Sequence, residues 1–202
     1  MNRAEFFADL EPHLSRRQLL RVQLAYTLSK YWHRSQTRKE LDDQGNRVRY
    51  FEHVRRVALV LIREARCLRP EMIVAALLHD AIEDTRDEDL SADMIEENFG
   101  EDVVVIVKTL SKVPKDGYLD RFLLSHDWRP YLIKACDRLD NLRSMRDAAP
   151  DFVARQVAET EDHYFPLLDR LLVLVPDEYR DGAVMLRDHI RARCVALRTD
   201  AP

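Results

Sequence analysis

The chain has 202 residues, 46% of them hydrophobic, and a formal net charge of −4. This is the size and composition of one domain with a sizeable core, and the slightly acidic balance does not favour a nucleic-acid polymer as the partner. Three cysteines without a CxxC pair indicate neither a disulfide framework nor a thiolate zinc site, and no stretch approaches the ~20 apolar residues of a membrane span. We therefore expect a soluble, cytoplasmic protein.

An all-α, single-domain helical bundle is expected, because only four glycines are present while leucine, alanine, arginine and glutamate abound. Ser15 and Pro70 are placed to begin helices, and Pro166 to kink or break one. Residues 37–50 are charged and lack an apolar period, which predicts an extended loop. The predicted helices are a short opening helix, then 15–36, one containing His53 that runs to about residue 67, one beginning at Pro70, then 91–99, 101–111, 119–125, 129–146, 151–175 and 178–197.

The run LLHDAIEDT at residues 77–85 follows a nearly all-apolar stretch. On one continuous helix, His79 would stack on Glu83 and Asp80 on Asp84, because positions four apart share a face. Polar groups that close a buried helix need partners or a metal ion. The run therefore predicts a metal-binding face.

Two further side chains are candidates for the same site. His53 precedes the apolar stripe of its helix and should point inward, and Asp137 follows an apolar run in YLIKACDRLDNL. Alone, each has an ordinary interpretation: a satisfied core histidine, and a buried partner of Arg138 or Arg143. Together with His79 and Asp80 they form a mixed nitrogen and oxygen set that suits manganese, iron or zinc.

These residues resemble an HD-superfamily metal-dependent phosphohydrolase, and within it the hydrolase domain of the RelA/SpoT family of alarmone enzymes. The similar segments occur in the family's order between residue 33 and about residue 170. They are HRSQTRK, YFEH, HDAIEDT, TLSK, DRLDNLRSM and AETEDHYFPLLDRL.

The resemblance implies a role for each matching position. The implied ligands of one Mn²⁺ are His53, His79, Asp80 and Asp137. The implied catalytic pair, which would orient and deprotonate a metal-activated water, is Glu83 and Asp84. The implied nucleotide-binding residues are Arg38, Lys39, Arg138, Asn141 and Tyr164.

The activity implied by the resemblance is removal of the 3′-pyrophosphate from guanosine 3′,5′-bis(diphosphate) or its 5′-triphosphate form, leaving GDP or GTP. We expect a stand-alone alarmone hydrolase without a synthetase. The chain departs from the family in a longer, more acidic loop at residues 40–49, which makes Arg47 or Arg49 alternative substrate ligands. It also has Asp140 where a histidine is usual and Val54 where a proline is usual. The alternatives are the same machinery acting on another nucleotide, ppApp or the 2′-phosphate of NADPH, and a catalytically idle nucleotide-binding module.

Overall fold

The computed structural model describes residues 2–84, 91–145 and 148–199, with the backbone alone described at residue 84. The prediction of an all-α fold is confirmed, with one small two-stranded sheet added to the helices. The helices are α1 (Arg3–Ala8), α2 (Arg16–Trp32), α3 (Tyr50–Arg63), α4 (Pro70–Leu78), α5 (Ala81–Asp84), α6 (Ala92–Phe99), α7 (Glu101–Leu110), α8 (Tyr118–Leu124), α9 (Trp128–Arg143), α10 (Pro150–Glu159), α11 (Phe165–Leu174) and α12 (Asp177–Thr199). The strands are β1 (Thr37–Leu41) and β2 (Arg47–Arg49). Within the described ranges, no helix has both the length and the apolar composition needed to cross a membrane.

Helix α9 is the centre of the fold, since it packs against α3, α4, α7, α11 and α12. Every residue from Pro130 to Asp140 is buried. A helix covered on all sides has no solvated face, so the charged side chains among these residues must find partners inside the protein. Two helices cover the part of α9 that carries those charges. One is the apolar helix α4, which is fully buried from Met72 to Leu78, and the other is the amphipathic helix α3.

The predicted helix starts at Ser15 and Pro70 are confirmed. Ser15 is the N-cap of α2, and its side chain accepts from the backbone N–H of Gln18. Pro70 is the first residue of α4, where its missing N–H costs nothing. The run Val103–Val107 has high strand propensity but lies in helix α7, because all of its side chains except that of Val105 fill the core between α4 and α9.

The prediction of an extended loop at residues 37–50 is wrong, because most of this segment forms an antiparallel hairpin. The turn explains why. A side-chain oxygen of Asp42 accepts from the backbone N–H groups of Gln44 at 3.0 Å and Asn46 at 2.8 Å. Gly45 supplies the positive φ of +80° that the turn requires. Charged residues therefore close a hairpin here although the apolar alternation of a typical strand is missing.

The hairpin directs alternate side chains to opposite faces. Its register pairs Thr37 with Arg49, and Arg38 and Glu40 on β1 are partly buried while their neighbours are exposed. Lys39, between them, is exposed. This alternation aims Arg38 and Glu40 at α3 and α9, where the candidate site lies.

The prediction of one continuous helix through LLHDAIEDT is also wrong, because α4 ends at Leu78 and α5 begins at Ala81. Nδ1 of His79 donates to the carbonyl oxygen of Ala76 at 2.9 Å. In an unbroken helix that carbonyl would accept from the backbone N–H of Asp80, so the imidazole competes with the helix for this acceptor. His79 and Asp80 consequently occupy a turn between two helices.

The helix predicted at residues 151–175 is interrupted just before Pro166, as expected. The interruption is a π-helical turn, Thr160–Tyr164, in which Phe165 donates its N–H to the carbonyl of Thr160. Pro166 cannot supply a backbone donor, so the chain rearranges its hydrogen bonds ahead of it.

Candidate metal centre and active site

The four predicted metal ligands meet where α3, the end of α4 and α9 come together. One ligand atom from each of His53, His79 and Asp80 lies within 4.8 Å of the other two. Oδ1 of Asp137 is 3.4 Å from Nε2 of His53 and 3.9 Å from Nε2 of His79. Ligand atoms bound at about 2.1 Å from one cation stand roughly 3–4 Å apart, so this spacing suits a single divalent ion. The two imidazoles are both 1% exposed.

The ring of His79 is oriented as a metal ligand would be. A carbonyl oxygen only accepts, so the contact with Ala76 places a proton on Nδ1 and leaves Nε2 as the free nitrogen. Nε2 is buried without a hydrogen bond and lies 2.9 Å from Oδ2 of Asp80. Two acceptors this close need positive charge between them, which a proton or a metal ion supplies.

The ring of His53 has the same orientation as that of His79, with Nε2 facing the cluster. Its Nδ1 lies 2.7 Å from Oδ2 of Asp140, and an ionised carboxylate can only accept, so Nδ1 is the donor. The opposite nitrogen, Nε2, then faces Asp137 at 3.4 Å and Asp80 at 3.6 Å. Both imidazoles therefore present Nε2 to the same two carboxylates.

Carboxylates dominate the electrostatics of this cluster. Burial by itself lowers the pKa of His53, but hydrogen bonds to Asp137, Asp140 and Asp80 outweigh it and raise the pKa to about 10. Burial by itself raises the pKa of Asp80, but the charges of His79 and His53 and the hydrogen bonds to them together outweigh it and hold the pKa well below its usual range. The cluster is a negatively charged pocket that retains a cation or a proton.

We expect the metal-free protein to lose stability as the pH rises from about 6.5 towards 10. The folded pKa of His53 is about 10, above the ~6.5 of an exposed histidine, so protonation favours the folded state. This stabilisation is complete below pH ~6.5 and disappears as the pH passes the folded pKa. Thermal unfolding measured across this pH range in EDTA should show the loss, and a bound divalent cation should reduce it by replacing the proton.

The variant His53→Gln should lack this component of the pH dependence. His189→Gln is a matched control, because His189 also contacts a carboxylate, that of Glu64 at 3.0 Å, but lies outside the cluster. An unchanged pH dependence in His53→Gln would contradict the assignment.

Two residues of the cluster were not predicted as functional. Nζ of the buried Lys134 lies 2.8 Å from Oδ2 of Asp137 and occupies the carboxylate oxygen that faces away from the histidines. The hydroxyl of Tyr50 donates to Oδ2 of Asp80 at 2.8 Å. The available signals were the i, i+3 spacing of Lys134 and Asp137 on an apolar helix, and the tyrosine of YFEH.

A cleft of about 580 Å³ opens beside the cluster, between the hairpin and the segment joining α9 to α10. Arg38 donates to Oδ1 of Asn141 at 2.6 Å, and Nδ2 of Asn141 donates to Oδ1 of Asp137 at 2.6 Å. Nζ of Lys39 lies 5.6 Å from the ring centroid of Phe152, across the same cleft. One amide therefore joins the basic wall of the cleft to a candidate metal ligand.

The predicted catalytic carboxylates lie at the far end of the broken helix. Glu83 accepts from the backbone N–H of Lys112 at 3.1 Å, and its other oxygen is 3.4 Å from Nζ of the same lysine. The side chain of Asp84 lies outside the described part of the chain. The catalytic roles of both residues stay predictions.

Arg138 and Tyr164 form a separate unit. The buried guanidinium of Arg138 donates to Oγ1 of Thr160 at 2.7 and 2.8 Å and lies 4.1 Å from the ring centroid of Tyr164. Tyr164 lines a second cavity of about 400 Å³, together with Lys112 and Lys115. Arg138 thus holds the π-helical turn and the tyrosine in place, and direct contact of either residue with a substrate stays a prediction.

This fold and this cluster define a mainly helical protein with a candidate divalent-cation centre of two imidazoles and two carboxylates. The family model described as HD domain matches residues 25–173, and the chain belongs to that family. Hydrolases of the family bind divalent metal ions, in agreement with the cluster.

The relatives carry more specific names. The chain is 31% identical over 174 residues to the bifunctional (p)ppGpp synthase/hydrolase SpoT of Escherichia coli, and 33% identical over 172 residues to guanosine-3′,5′-bis(diphosphate) 3′-pyrophosphohydrolase of Aquifex aeolicus. Each match covers 80% of this chain and 23% of the relative, so the chain spans about a quarter of the length of these curated relatives. A solved structure of a metazoan ortholog of SpoT that hydrolyses ppGpp is similar over 90% of this chain and 97% of its own, with 25% identity and a TM-score of 0.67.

Proposed function

We propose that this protein is a Mn²⁺-dependent (p)ppGpp 3′-pyrophosphohydrolase, which converts guanosine 3′,5′-bis(diphosphate) and water to GDP and pyrophosphate. One observation carries the proposal: a two-histidine, two-carboxylate cluster lies directly beside a cleft walled by Arg38 and Lys39. The names of the relatives, which include this activity, support the choice of substrate.

His53, His79, Asp80 and Asp137 are the residues that would hold the cation. A divalent ion bound there would polarise a phosphate oxygen and lower the pKa of a water molecule. The mixed donor set suits Mn²⁺, since imidazole and carboxylate both fit first-row divalent metals while thiolate is absent from the cluster. Lys134 would keep Asp137 oriented by binding the oxygen that faces away from the ion.

The cleft beside the cluster would receive the nucleotide. The planar guanidinium of Arg38 can bind two phosphate oxygens at once, and Asn141 holds it at the edge of the cluster. Lys39 adds a second positive charge opposite the aromatic ring of Phe152. A purine bound there would contact the apolar face of the ring and the ammonium group of Lys39. This arrangement would place one diphosphate at the cluster and the base in the cleft.

In the hydrolysis, the bond between the 3′ oxygen and its phosphorus breaks. The phosphorus takes OH from water, and the 3′ oxygen leaves with a proton as the hydroxyl of GDP. Glu83 is the described carboxylate that we assign to accept the proton of the water, and Lys112 anchors it through both oxygens. Asp84 is assigned to orient the same water.

The decisive experiment is incubation of the Mn²⁺-loaded protein with ppGpp, ppApp and NADPH, followed by detection of pyrophosphate and phosphate. We expect pyrophosphate from ppGpp, and its loss in the Glu83→Gln, Asp84→Asn double variant. Release from ppApp or NADPH alone would move the function to that nucleotide. No release from any of the three compounds by a folded, metal-loaded protein would favour a different substrate or the idle binding module.

Arg38→Ala should raise KM for ppGpp by roughly 10- to 100-fold, the loss expected for one or two hydrogen bonds between charged groups. Arg47→Ala is the matched control, because Arg47 is an exposed residue of the same hairpin. Steady-state kinetics on both variants decides between Arg38 and the alternative ligand Arg47. A larger effect from Arg47→Ala would contradict the assignment of Arg38.

A further inference from the structure

Asp140 is a buried carboxylate with donors on both of its oxygens. Oδ2 accepts from Nδ1 of His53 at 2.7 Å and from a terminal nitrogen of Arg56 at 3.2 Å, and Oδ1 accepts from Nε of Arg56 at 2.7 Å. The residue is 3% exposed. Arg56 alone would be a sufficient partner for a buried carboxylate whose role is only structural. The short contact with His53 therefore connects Asp140 to the cation cluster as well.

The same arginine connects the cluster to the hairpin. Arg56 donates to Oε2 of Glu40 at 2.7 Å, and Glu40 on β1 lies 3.8 Å from Nε of Arg38. Arg38 in turn reaches Asn141, whose amide binds Asp137. A continuous chain of polar contacts therefore starts at the candidate ligand His53, passes through the hairpin and ends at the candidate ligand Asp137.

We propose that Asp140 is a positioning residue with two effects. It holds the ring of His53 with Nδ1 protonated and Nε2 directed at the cation, and through Arg56 and Glu40 it fixes β1 relative to that ligand. A carboxylate that accepts from the far nitrogen of a ligand histidine fixes the tautomer, restricts rotation of the ring and makes the ligand more basic. Because Asp140 also fixes β1, the position from which Arg38 would bind phosphate depends on the same carboxylate.

The first test is the affinity for Mn²⁺ alone, measured by isothermal titration calorimetry without nucleotide. We expect Asp140→Asn to bind Mn²⁺ about 10- to 100-fold more weakly, the usual loss when such a supporting carboxylate is removed. Glu64→Gln is a matched control, because the carboxylate of Glu64 also bridges an arginine and a histidine, Arg143 and His189, outside the cluster. Its Mn²⁺ affinity should stay unchanged.

Unchanged Mn²⁺ affinity in a folded Asp140→Asn protein would overturn the proposal. A second measurement, on the wild-type protein, does not depend on the folding of any variant. Long-range proton–nitrogen NMR spectra of the Zn²⁺-loaded protein should show the proton of His53 on Nδ1. A proton on Nε2 would overturn the assigned orientation.

The link to the hairpin is tested with Glu40→Gln, and this arm rests on the proposed function. The variant should retain the Mn²⁺ affinity of the wild type, while KM for ppGpp rises and kcat changes less. An unchanged KM would overturn the link to β1. The Mn²⁺ affinity is measured without substrate, so a protein that fails to hydrolyse ppGpp would count against the proposed function and leave the test of Asp140 intact.

Discussion

Replacing Asp80 with asparagine should lower kcat/KM for pyrophosphate release by ~10³-fold, the upper range for loss of one preorganised electrostatic group in an active site. Oδ2 of Asp80 lies 2.9 Å from His79 and 3.6 Å from His53, so the change removes one negative charge from the middle of the cluster. The amide is nearly the same size and still accepts from Tyr50, so the local packing should survive. Kinetics at saturating Mn²⁺, together with the bound metal content, measures the effect.

Asp127→Asn is a matched control for Asp80→Asn. Asp127 is the N-cap of α9, and asparagine is an equally good cap. It is ten residues before Asp137, which is about 15 Å along the helix. Its activity and metal content should match those of the wild type. Full activity in a folded Asp80→Asn protein would show that Asp80 is not a ligand required for the reaction.

Replacing Gly182 with alanine should destabilise the fold by about 2 kcal/mol. A Cβ at this position would lie 2.4 Å from the carbonyl oxygen of Ala65 and 2.8 Å from its carbonyl carbon. These are backbone atoms, which cannot rotate away, so α12 or the segment that follows α3 must shift. Overpacking of this kind costs about 3 kcal/mol at the upper end of the usual range, and alanine recovers ~1 kcal/mol of helix propensity.

Thermal unfolding of Gly182→Ala should show a fall in Tm of about 4–8 °C, at ~2–4 °C per kcal/mol for a chain of this size. Asp181→Ala is the control, because it changes the adjacent, exposed residue of the same helix and removes no packing contact of the core. Its stability should change by less than ~0.5 kcal/mol. Equal Tm values for Gly182→Ala and the wild type would show that the backbone segments at Gly182 and Ala65 can move apart without loss of stability.

Helices were predicted well where the evidence was local. The cap at Ser15, the start at Pro70 and the interruption before Pro166 each depend on the chemistry of one residue and its immediate neighbours, and all three are confirmed. The hairpin was missed because its strands carry charged residues in place of an apolar alternation. Its stability comes from the local turn around Asp42 and from the ion pair of Glu40 with Arg56 on α3, and no local pattern reveals the second.

The four candidate ligands were identified in the sequence, although one reason for choosing them was wrong. His79 and Asp80 lie in a turn, and the stacking of these residues on Glu83 and Asp84 along one helix face does not carry over to a broken helix. What brings the ligands together is the packing of α3 and α4 on α9. The residue types remained informative because imidazole and carboxylate are metal-binding groups wherever the backbone places them.

The sequence by itself determined the helical class, the residues able to bind a cation, and the basic pair Arg38 and Lys39. The helical class and the candidate cation ligands follow from side-chain chemistry and from patterns within one or two helical turns, whereas Arg38 and Lys39 were indicated by the resemblance to the RelA/SpoT family. The tertiary structure alone decided which nitrogen of each imidazole faces the cluster, that Lys134 and Tyr50 support it, and that Asp140 joins it to the hairpin. The contacts of Asp140 with His53 and of Tyr50 with Asp80 join segments distant in the chain. Lys134 and Asp137 are close in the sequence, but only the packing around α9 buries them together. A buried charge takes as its partner whichever group the packing places within hydrogen-bonding distance.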